Sequence, residues 1–170
     1  MQRILAAITV AVTLVASSAS AFDPADLKKL KEANECERCY FLSANLTGAN
    51  LSDAELSGIT SGLIRITSGP ITETPTLPVS YSLVNGYIVG PKVNLAGADL
   101  SKAKLTGAKL SEASLRSANL TSATLTNAYL AGAKLSGANL KGANLDYAIM
   151  DGAILCNTTM PDGSVIYRGC

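Results

Sequence analysis

Four cysteines hold most of the chemistry that this sequence could perform. Cys36 and Cys39 form a Cys-x-x-Cys pair, and Cys156 and Cys170 lie near the C-terminal end of the 170-residue chain. A Cys-x-x-Cys pair can act as a thiol-disulfide redox site, whereas four cysteines in an exported chain favour two structural disulfides with three alternative pairings. The pair lacks the βαβ pattern of thioredoxin-like proteins, and Tyr40 stands where haem attachment needs a histidine.

The other residues with catalytic potential form no constellation. Histidine is absent, no glycine-rich phosphate loop precedes a helix, and the acidic residues are scattered along the chain. We therefore predict that the protein is not an enzyme and that it holds no metal and no cofactor. The alternative hypothesis is a periplasmic thiol-disulfide protein that uses Cys36 and Cys39.

A five-residue repeat organises the chain between these cysteines. From residue 93 to residue 155 the pattern recurs thirteen times, beginning with Val93-Asn94-Leu95. Leucine fills twelve of the thirteen central positions, and alanine fills twelve of the positions two residues earlier. Earlier repeats have their central residues at Phe41, Leu46, Leu51 and Leu56.

A period of five matches neither regular element. An α-helix returns to the same face every 3.6 residues and a strand every two, so neither could bury all of these leucines on one side. A backbone that turns a corner every five residues can point one large and one small apolar side chain inward from each straight segment. Because one coil cannot bury its own apolar groups, coils must stack on one another. The period therefore predicts a solenoid.

Units such as Ala44-Asn45-Leu46-Thr47-Gly48 and Ala138-Asn139-Leu140-Lys141-Gly142 resemble those of the pentapeptide-repeat family. The resemblance implies an all-β fold, a right-handed quadrilateral β-helix with four units in each coil. The segments around Cys36-Glu37-Arg38-Cys39 and from Cys156 to Gly163 are similar to the entry and the ending of secreted bacterial members. The resemblance implies no particular activity, because proteins that share a fold perform unrelated tasks.

The same resemblance implies how the cysteines pair. Four units per coil give about four coils, each rising roughly 4.8 Å, so the two ends would lie on the order of 20 Å apart. A disulfide needs Cα atoms within about 7 Å of each other. The implied pairing joins Cys36 to Cys39 and Cys156 to Cys170, and it leaves no shared zinc site.

The first 21 residues have the pattern of a secretory signal peptide. Arg3 gives a basic start, an apolar run extends from Ile4 to Ala16, and Ala19-Ser20-Ala21 fits a cleavage site. The apolar run is shorter than the roughly 20 residues that span a bilayer. We expect the mature chain to begin at Phe22, to be secreted or periplasmic, and to have no membrane span after cleavage.

The charge of the mature chain bears on its partners. Without Arg3 it holds 13 basic and 13 acidic residues. A basic face for nucleic acid is missing, and so is the strongly acidic surface with which some members of the family imitate DNA. We therefore predict no nucleic-acid partner.

The mature chain, residues 22–170, is predicted to be one domain. Residues 22–40 form an N-terminal cap, in which Asp23-Pro24 begins a short amphipathic helix over residues 23–35. Residues 41–58 hold the first repeats, 93–160 the main repeats and 161–170 a C-terminal cap. Leu56 and Leu95 are 39 positions apart, which is not a multiple of five, so residues 59–92 are predicted to be an insertion.

A β-hairpin is predicted within this insertion, because Asn85-Gly86 is a two-residue turn signal between two β-rich runs. Loops on a rigid scaffold often carry function. One candidate partner-binding surface is therefore formed by Tyr81, Leu83, Tyr87 and Ile88. The alternative is that these side chains fold back and merely cover one face of the solenoid.

Four-sided coils place a second candidate surface on the repeats. They stack Lys109, Tyr129 and Ile149 above one another, with Tyr147 at the neighbouring corner. A tyrosine and an isoleucine stand there where other units carry asparagine or lysine. We predict a non-enzymatic, extracytoplasmic β-solenoid that acts as a protein-binding or structural scaffold, with a partner protein in the cell envelope.

Overall fold

The computed structural model describes residues 54, 56, 57, 59, 76–167 and 170. Several predicted features lie outside these residues: the signal peptide 1–21, the capping helix 23–35, most of the first repeats, and both Cys36 and Cys39. The structure therefore bears on the main repeats, on the predicted hairpin and on the C-terminal cap.

Parallel β-bridges join residues that are twenty positions apart. Asn94 pairs with Ser114, Ser114 with Lys134, and Lys134 with Ile154. Because twenty residues hold four five-residue units, each coil has four sides, and each side carries a ladder of outward-pointing residues. The ladders of sides 1 to 4 are Asn94, Ser114, Lys134 and Ile154; Asp99, Asn119, Asn139 and Thr159; Lys104, Thr124 and Asn144; and Lys109, Tyr129 and Ile149.

The inward positions form one apolar core. Every central leucine from Leu95 to Leu140 is at most 1 % exposed, and the alanines two residues before them are mostly buried as well. Full burial of one leucine side chain is worth about 1.5–3 kcal/mol, so the stacked leucines hold the coils together. From Leu145 onward the central residues are only partly buried, because no complete coil lies above them.

A left-handed backbone conformation recurs at the corners between sides. Gly97 has φ +70° and Gly107 has φ +67°, which suits glycine, yet Lys102 and Glu112 adopt the same region with φ 55° and 58°. Outward asparagines support the corners: the Asn139 Oδ1 accepts from the Lys141 N–H at 3.0 Å. The requirements of the corner therefore explain much of the glycine and asparagine in the repeat.

The regular elements in the described residues are four short strands. Strand β1 is Ser82–Val84, β2 is Tyr87–Val89, β3 is Thr158–Thr159 and β4 is Val165–Ile166. Strands β1 and β2 pair antiparallel across a turn in which Asn85 has φ 49° and Gly86 has φ 81°. This confirms the hairpin that the Asn-Gly pair predicts. This part of the chain contains no helix that is long and apolar enough to cross a membrane.

The predicted limits of the insertion, residues 59–92, are too wide. Ile59 is fully buried, and its carbonyl accepts from the Asn94 N–H at 2.7 Å. In regular coils this bond joins residues 21 positions apart, as from Ser114 to Val93, so Ile59 lies on side 1 directly below Val93. Lys92 has the corner conformation, φ 60°, and donates to the Ser111 carbonyl at 2.9 Å. Residues 88–92 are thus a unit on side 4, which leaves residues 60–87 between the side-1 and side-4 segments along the chain.

Candidate functional site

The hairpin is not the exposed surface that the sequence predicted. Tyr87 is 8 % exposed and Ile88 is 0 % exposed, so neither side chain can contact a partner in this structure. Tyr81 and Leu83 are partly buried and pack against the core. The prediction of a partner-binding surface on these four residues is corrected, because their apolar side chains close the solenoid instead.

Two polar side chains of the hairpin take the place of backbone groups that a regular coil would provide below side 2. In regular coils the N–H at the position of Asp99 donates to a carbonyl of the coil below, as Asn119 N–H donates to Ala98. The Asp99 N–H donates instead to the Tyr87 hydroxyl oxygen at 3.2 Å. The Asn85 Nδ2 donates to the Ser101 carbonyl at 3.1 Å, again on side 2. The hairpin therefore caps the lower edge of side 2 and satisfies backbone groups that a coil would otherwise satisfy.

The Tyr81 ring fills a gap in the ladder of central residues. Gly90 stands at the central position of its unit, where other units have leucine. A Cβ on Gly90 would lie 2.1 Å from Tyr81 Cδ1 and 2.5 Å from Cε1. The aromatic ring thus occupies the space next to Gly90 that a leucine side chain would need, and Tyr81 is a core residue rather than a recognition residue.

The ladder of side 4 has the arrangement that the sequence predicted. Lys109 pairs with Tyr129, and Tyr129 pairs with Ile149. The Lys109 Nζ lies 3.2 Å from the centroid of the Tyr129 ring, a cation–π contact. Tyr129 is 39 % exposed, Ile149 43 % and Tyr147, at the corner, 85 %. These four residues are called the side-4 patch below.

Further exposed apolar residues, which the sequence did not predict, lie at the C-terminal end. Ile154, Val165 and Tyr167 are 36 %, 37 % and 73 % exposed. Ile154 has a sequence signal, because it occupies the outward position of the unit that follows Ile149 and breaks the polar pattern in the same way. Val165 and Tyr167 lie beyond the repeats, where no periodicity predicts which side chains point inward and which outward.

The C-terminal tail folds back onto side 2 of the last coil. Strand β4 pairs antiparallel with β3, with Val165 opposite Thr159. The Asp162 Oδ1 accepts from the Ser164 hydroxyl at 2.7 Å and from its N–H at 2.9 Å. The bond from the Ser164 hydroxyl has the larger effect and the bond from the Ser164 N–H the smaller one, and both hold the pKa of the Asp162 carboxyl below its usual value. Ser101 lowers the pKa of Asp99 in the same way.

A disulfide fixes the end of this tail. Cys156 and Cys170 are bonded, with their Cα atoms 5.0 Å apart, which confirms this half of the implied pairing. The other half, Cys36 with Cys39, lies outside the described residues. Among the residues that the structure describes, no three histidine, cysteine, aspartate or glutamate side chains lie close enough together to hold a metal ion.

The repeat geometry agrees with a family match along the sequence. The model of pentapeptide repeats matches residues 35–60, 94–130 and 123–160, with 8 copies of the repeat. These ranges cover more than half of the chain. The chain belongs to the pentapeptide-repeat family. Pentapeptide-repeat proteins fold as right-handed quadrilateral β-helices and are generally non-enzymatic structural or regulatory proteins.

Three solved pentapeptide-repeat structures are similar to this one. A protein from the cyanobacterium Cyanothece 51142 is 27 % identical, with 76 % of this chain and 92 % of that chain covered and a TM-score of 0.43. HetL, which is involved in heterocyst differentiation regulation in Nostoc sp. strain PCC 7120, is 29 % identical, with 78 % and 60 % covered and a TM-score of 0.29. A protein of the Arabidopsis thaliana thylakoid lumen is 23 % identical, with 74 % and 71 % covered and a TM-score of 0.20. No curated protein matches the chain. Membership of the pentapeptide-repeat family rests on the repeats themselves rather than on these superpositions.

Proposed function

We propose that this pentapeptide-repeat protein is a non-enzymatic, extracytoplasmic scaffold that binds a partner protein through the side-4 patch. The observation that carries the proposal is the exposure of Tyr129, Tyr147 and Ile149 on one ladder and its corner. Most outward positions of the main repeats hold asparagine, lysine, serine or threonine. Large apolar side chains clustered on a polar surface are typical of an interaction site.

The solenoid favours binding because it holds the patch rigidly. The Tyr129 N–H donates to the Ala108 carbonyl at 2.9 Å, and the Tyr129 carbonyl accepts from the Leu110 N–H at 2.8 Å. The backbone of this residue is therefore fixed to the coil below before any partner arrives. Tyrosine also loses little conformational entropy on binding, and it gives both apolar contact and a hydroxyl that can hydrogen-bond.

The C-terminal disulfide and the predicted signal peptide over residues 1–21 support export. Disulfides persist in oxidising compartments, and the Cys156–Cys170 bond ties the C-terminal tail to the last coil. N-terminal sequencing of the protein from cell fractions tests this part of the proposal. We expect a chain that begins at Phe22 in the secreted or periplasmic fraction, and an intact Met1 in the cytoplasm would contradict it.

Binding is tested by affinity capture from envelope extract with matched variants. The patch variant carries Tyr129→Ser and Tyr147→Ser, and the control variant carries Tyr167→Ser, which removes an exposed tyrosine from the tail. Circular dichroism first shows that both variants keep the parent fold. We expect a protein that the parent and the control retain and that the patch variant loses. Equal capture by all three, or no capture by the parent, would count against the proposal.

A further inference from the structure

Charged residues of opposite sign lie at the two ends of the side-4 patch. At its lower end, the exposed Lys109 lies on side 4 and the exposed Lys104 lies on the neighbouring side 3. At its upper end, Asp146 and Asp151 are exposed at the two corners that bracket Ile149. The coil between these ends has no charged residue on side 4 or at its two corners. The surface is therefore basic below, apolar in the middle and acidic above.

One further charge near the lower end is offset by a neighbour. Glu112 lies at the corner between sides 4 and 1, twenty positions after Lys92, and both have the corner conformation, with φ 58° and 60°. Because twenty positions make one coil, Lys92 lies directly below Glu112, and this corner carries one charge of each sign. The positive charge of the lower end thus comes from Lys104 and Lys109.

The two aspartates of the upper end are held on fixed backbone. The Asp146 carbonyl accepts from the Asn127 N–H at 2.9 Å, and the Asp151 carbonyl accepts from the Gly132 N–H at 2.8 Å. Both corners are therefore tied to the coil below, while both aspartates stay exposed. The spacing between the negative and the positive end is set by the stacking of the coils and does not change when a partner binds.

The size of this surface limits what can bind to it. Coils that are about 4.8 Å apart place the backbone of Ile149 roughly 10 Å above that of Lys109. With one short side as its width, the area is on the order of 200 Å², whereas a stable interface between folded proteins buries about 800 Å² on each partner. The surface is too small to hold a folded domain or a second copy by itself, and it fits a short linear segment.

An extended segment that runs along the solenoid axis matches the surface. Its side chains point to one face at every second residue, so an acidic, an apolar and a basic residue with one residue between each share a face and span about 13 Å. The acidic residue would meet Lys109, and the apolar residue would pack on the Tyr129 ring. The basic residue would lie between Asp146 and Asp151, with its apolar stem on Ile149.

We propose that the partner protein binds the side-4 patch through such a segment, in which an apolar residue lies between an acidic and a basic residue at alternating positions. The charges at the two ends of the patch select this pattern, because a like charge at either end would be repelled. This inference rests on the proposed function and names the chemistry that the patch recognises.

Chemical-shift titration of the isotope-labelled mature protein with synthetic peptides tests the proposal. The matching peptide is Ser-Glu-Ser-Leu-Ser-Lys-Ser with blocked ends. An all-acidic peptide has Glu in place of Lys, and an all-basic peptide has Lys in place of Glu. We expect the matching peptide to bind roughly fivefold more tightly than either of the others, to shift the resonances of side 4, and to bind more weakly as salt is added.

Charge reversal of one end of the patch should change which peptide binds best. Lys104→Glu with Lys109→Glu makes both ends acidic, so this variant should prefer the all-basic peptide. Asp146→Lys with Asp151→Lys makes both ends basic, so this variant should prefer the all-acidic peptide. Both exchanges reverse the preference only if the two ends contact the two ends of the same peptide.

The control variant carries Lys134→Glu and Lys141→Glu, which lie on sides 1 and 2. It has the same net charge as the variant with two glutamates on sides 3 and 4, so it separates a local contact from a general effect of charge. It should keep the preference of the parent. The native Asp99 and Lys141 show that the outward positions accept an acidic residue and that the corners accept a basic one, so the variants should fold.

The proposal would be overturned by a parent that binds the three peptides equally, by charge-reversed variants that keep the parent's preference, or by shifts confined to another side. It would also be overturned if the parent formed dimers in sedimentation velocity that Lys104→Glu with Lys109→Glu abolishes, because a second copy would then be the occupant. Affinity capture separates this inference from the proposed function. If the Tyr129→Ser, Tyr147→Ser variant lost a partner that both charge-reversed variants retained, partner binding would stand and the charge pattern would be wrong. If the peptide preferences switched as expected but the parent captured no partner, the charge pattern would stand and the proposed function would not.

Discussion

At the scale of single residues, this fold permits little choice at its inward positions. On most sides, one leucine and one alanine point inward, and both are packed against the coils above and below. Thr158 shows the rule for a polar residue: it is fully buried, and its Oγ1 donates to the Leu135 carbonyl at 2.8 Å. Inward positions therefore accept a polar group only where a backbone partner is within reach.

Truncation of a central leucine should strongly destabilise the solenoid. Leu125 is 0 % exposed. Leu125→Ala should lower the free energy of unfolding by about 2 to 5 kcal/mol, because the coils above and below cannot collapse into the cavity. The exposed Lys134→Ala should change it by less than about 0.5 kcal/mol. Denaturant titration measures both, and similar losses would contradict the assignment of inward and outward positions.

Tyr81 and Gly90 should behave as a coupled pair. Gly90→Leu alone should destabilise, because its Cβ would overlap the Tyr81 ring, and Tyr81→Ala alone should destabilise by leaving a cavity. In the double variant the new leucine occupies the space of the missing ring. We expect a favourable coupling energy of about 0.5 to 3 kcal/mol in a double-mutant cycle. Strictly additive effects would mean that the two residues do not share one site.

At the scale of elements, the hairpin is part of the solenoid rather than an attachment to it. Its Tyr87 hydroxyl and Asn85 amide hydrogen-bond side 2, and its second strand leads into the unit over residues 88–92. An edge that would expose unpaired backbone groups is thereby closed. The insertion changes how one coil is built, while the coils after it keep their regular stacking.

The sequence predicted the hairpin and the side-4 ladder, but it could not predict where the hairpin packs. The Asn85-Gly86 turn is a local signal, and the twenty-residue spacing that stacks Tyr129 under Ile149 follows once each coil has four sides. The unit over residues 88–92 could not be recognised from the sequence, because Gly90 stands at its central position in place of leucine. The ring that compensates, Tyr81, precedes it by nine positions, and no periodicity links the two.

Replacement of the inserted residues by regular units should preserve the fold. In the variant, residues 64–87 become two Ala-Asn-Leu-Ser-Gly units and Gly90 becomes leucine, which restores a twenty-residue coil. We expect the circular dichroism of the parent and a cooperative melt. A direct join of Gly58 to Val93 should be much less stable, because it also removes the fully buried Ile59 and Ile88. If both deletions melted alike, these two residues would not belong to the core.

At the scale of the whole molecule, the middle of the solenoid repeats itself and the ends determine its behaviour. Within the described residues, buried side-chain nitrogen and oxygen atoms all have hydrogen-bond partners. The full chain has a net charge of only +1, so net charge gives little protection against association. We expect the C-terminal tail, which covers side 2 of the last coil, to limit edge-to-edge association of copies.

Removal of the C-terminal disulfide should affect both stability and association. Cys156 and Cys170 are 14 positions apart, and closing a loop of about 15 residues is worth roughly 3 kcal/mol in the chain-entropy account. Cys156→Ser with Cys170→Ser should lower the free energy of unfolding by about that amount. It should also release β4 from side 2, which uncovers the strand edge that the tail protects.

The matched control is Cys36→Ser with Cys39→Ser, which leaves the C-terminal tail tied. We expect this control to associate like the parent, whereas the Cys156→Ser, Cys170→Ser variant should form larger species than the parent in sedimentation velocity. The reason is that the backbone groups of side 2, once β4 is released, can pair with a strand edge of another copy. A Cys156→Ser, Cys170→Ser variant that remains the same size as the parent would show that β4 does not protect the edge.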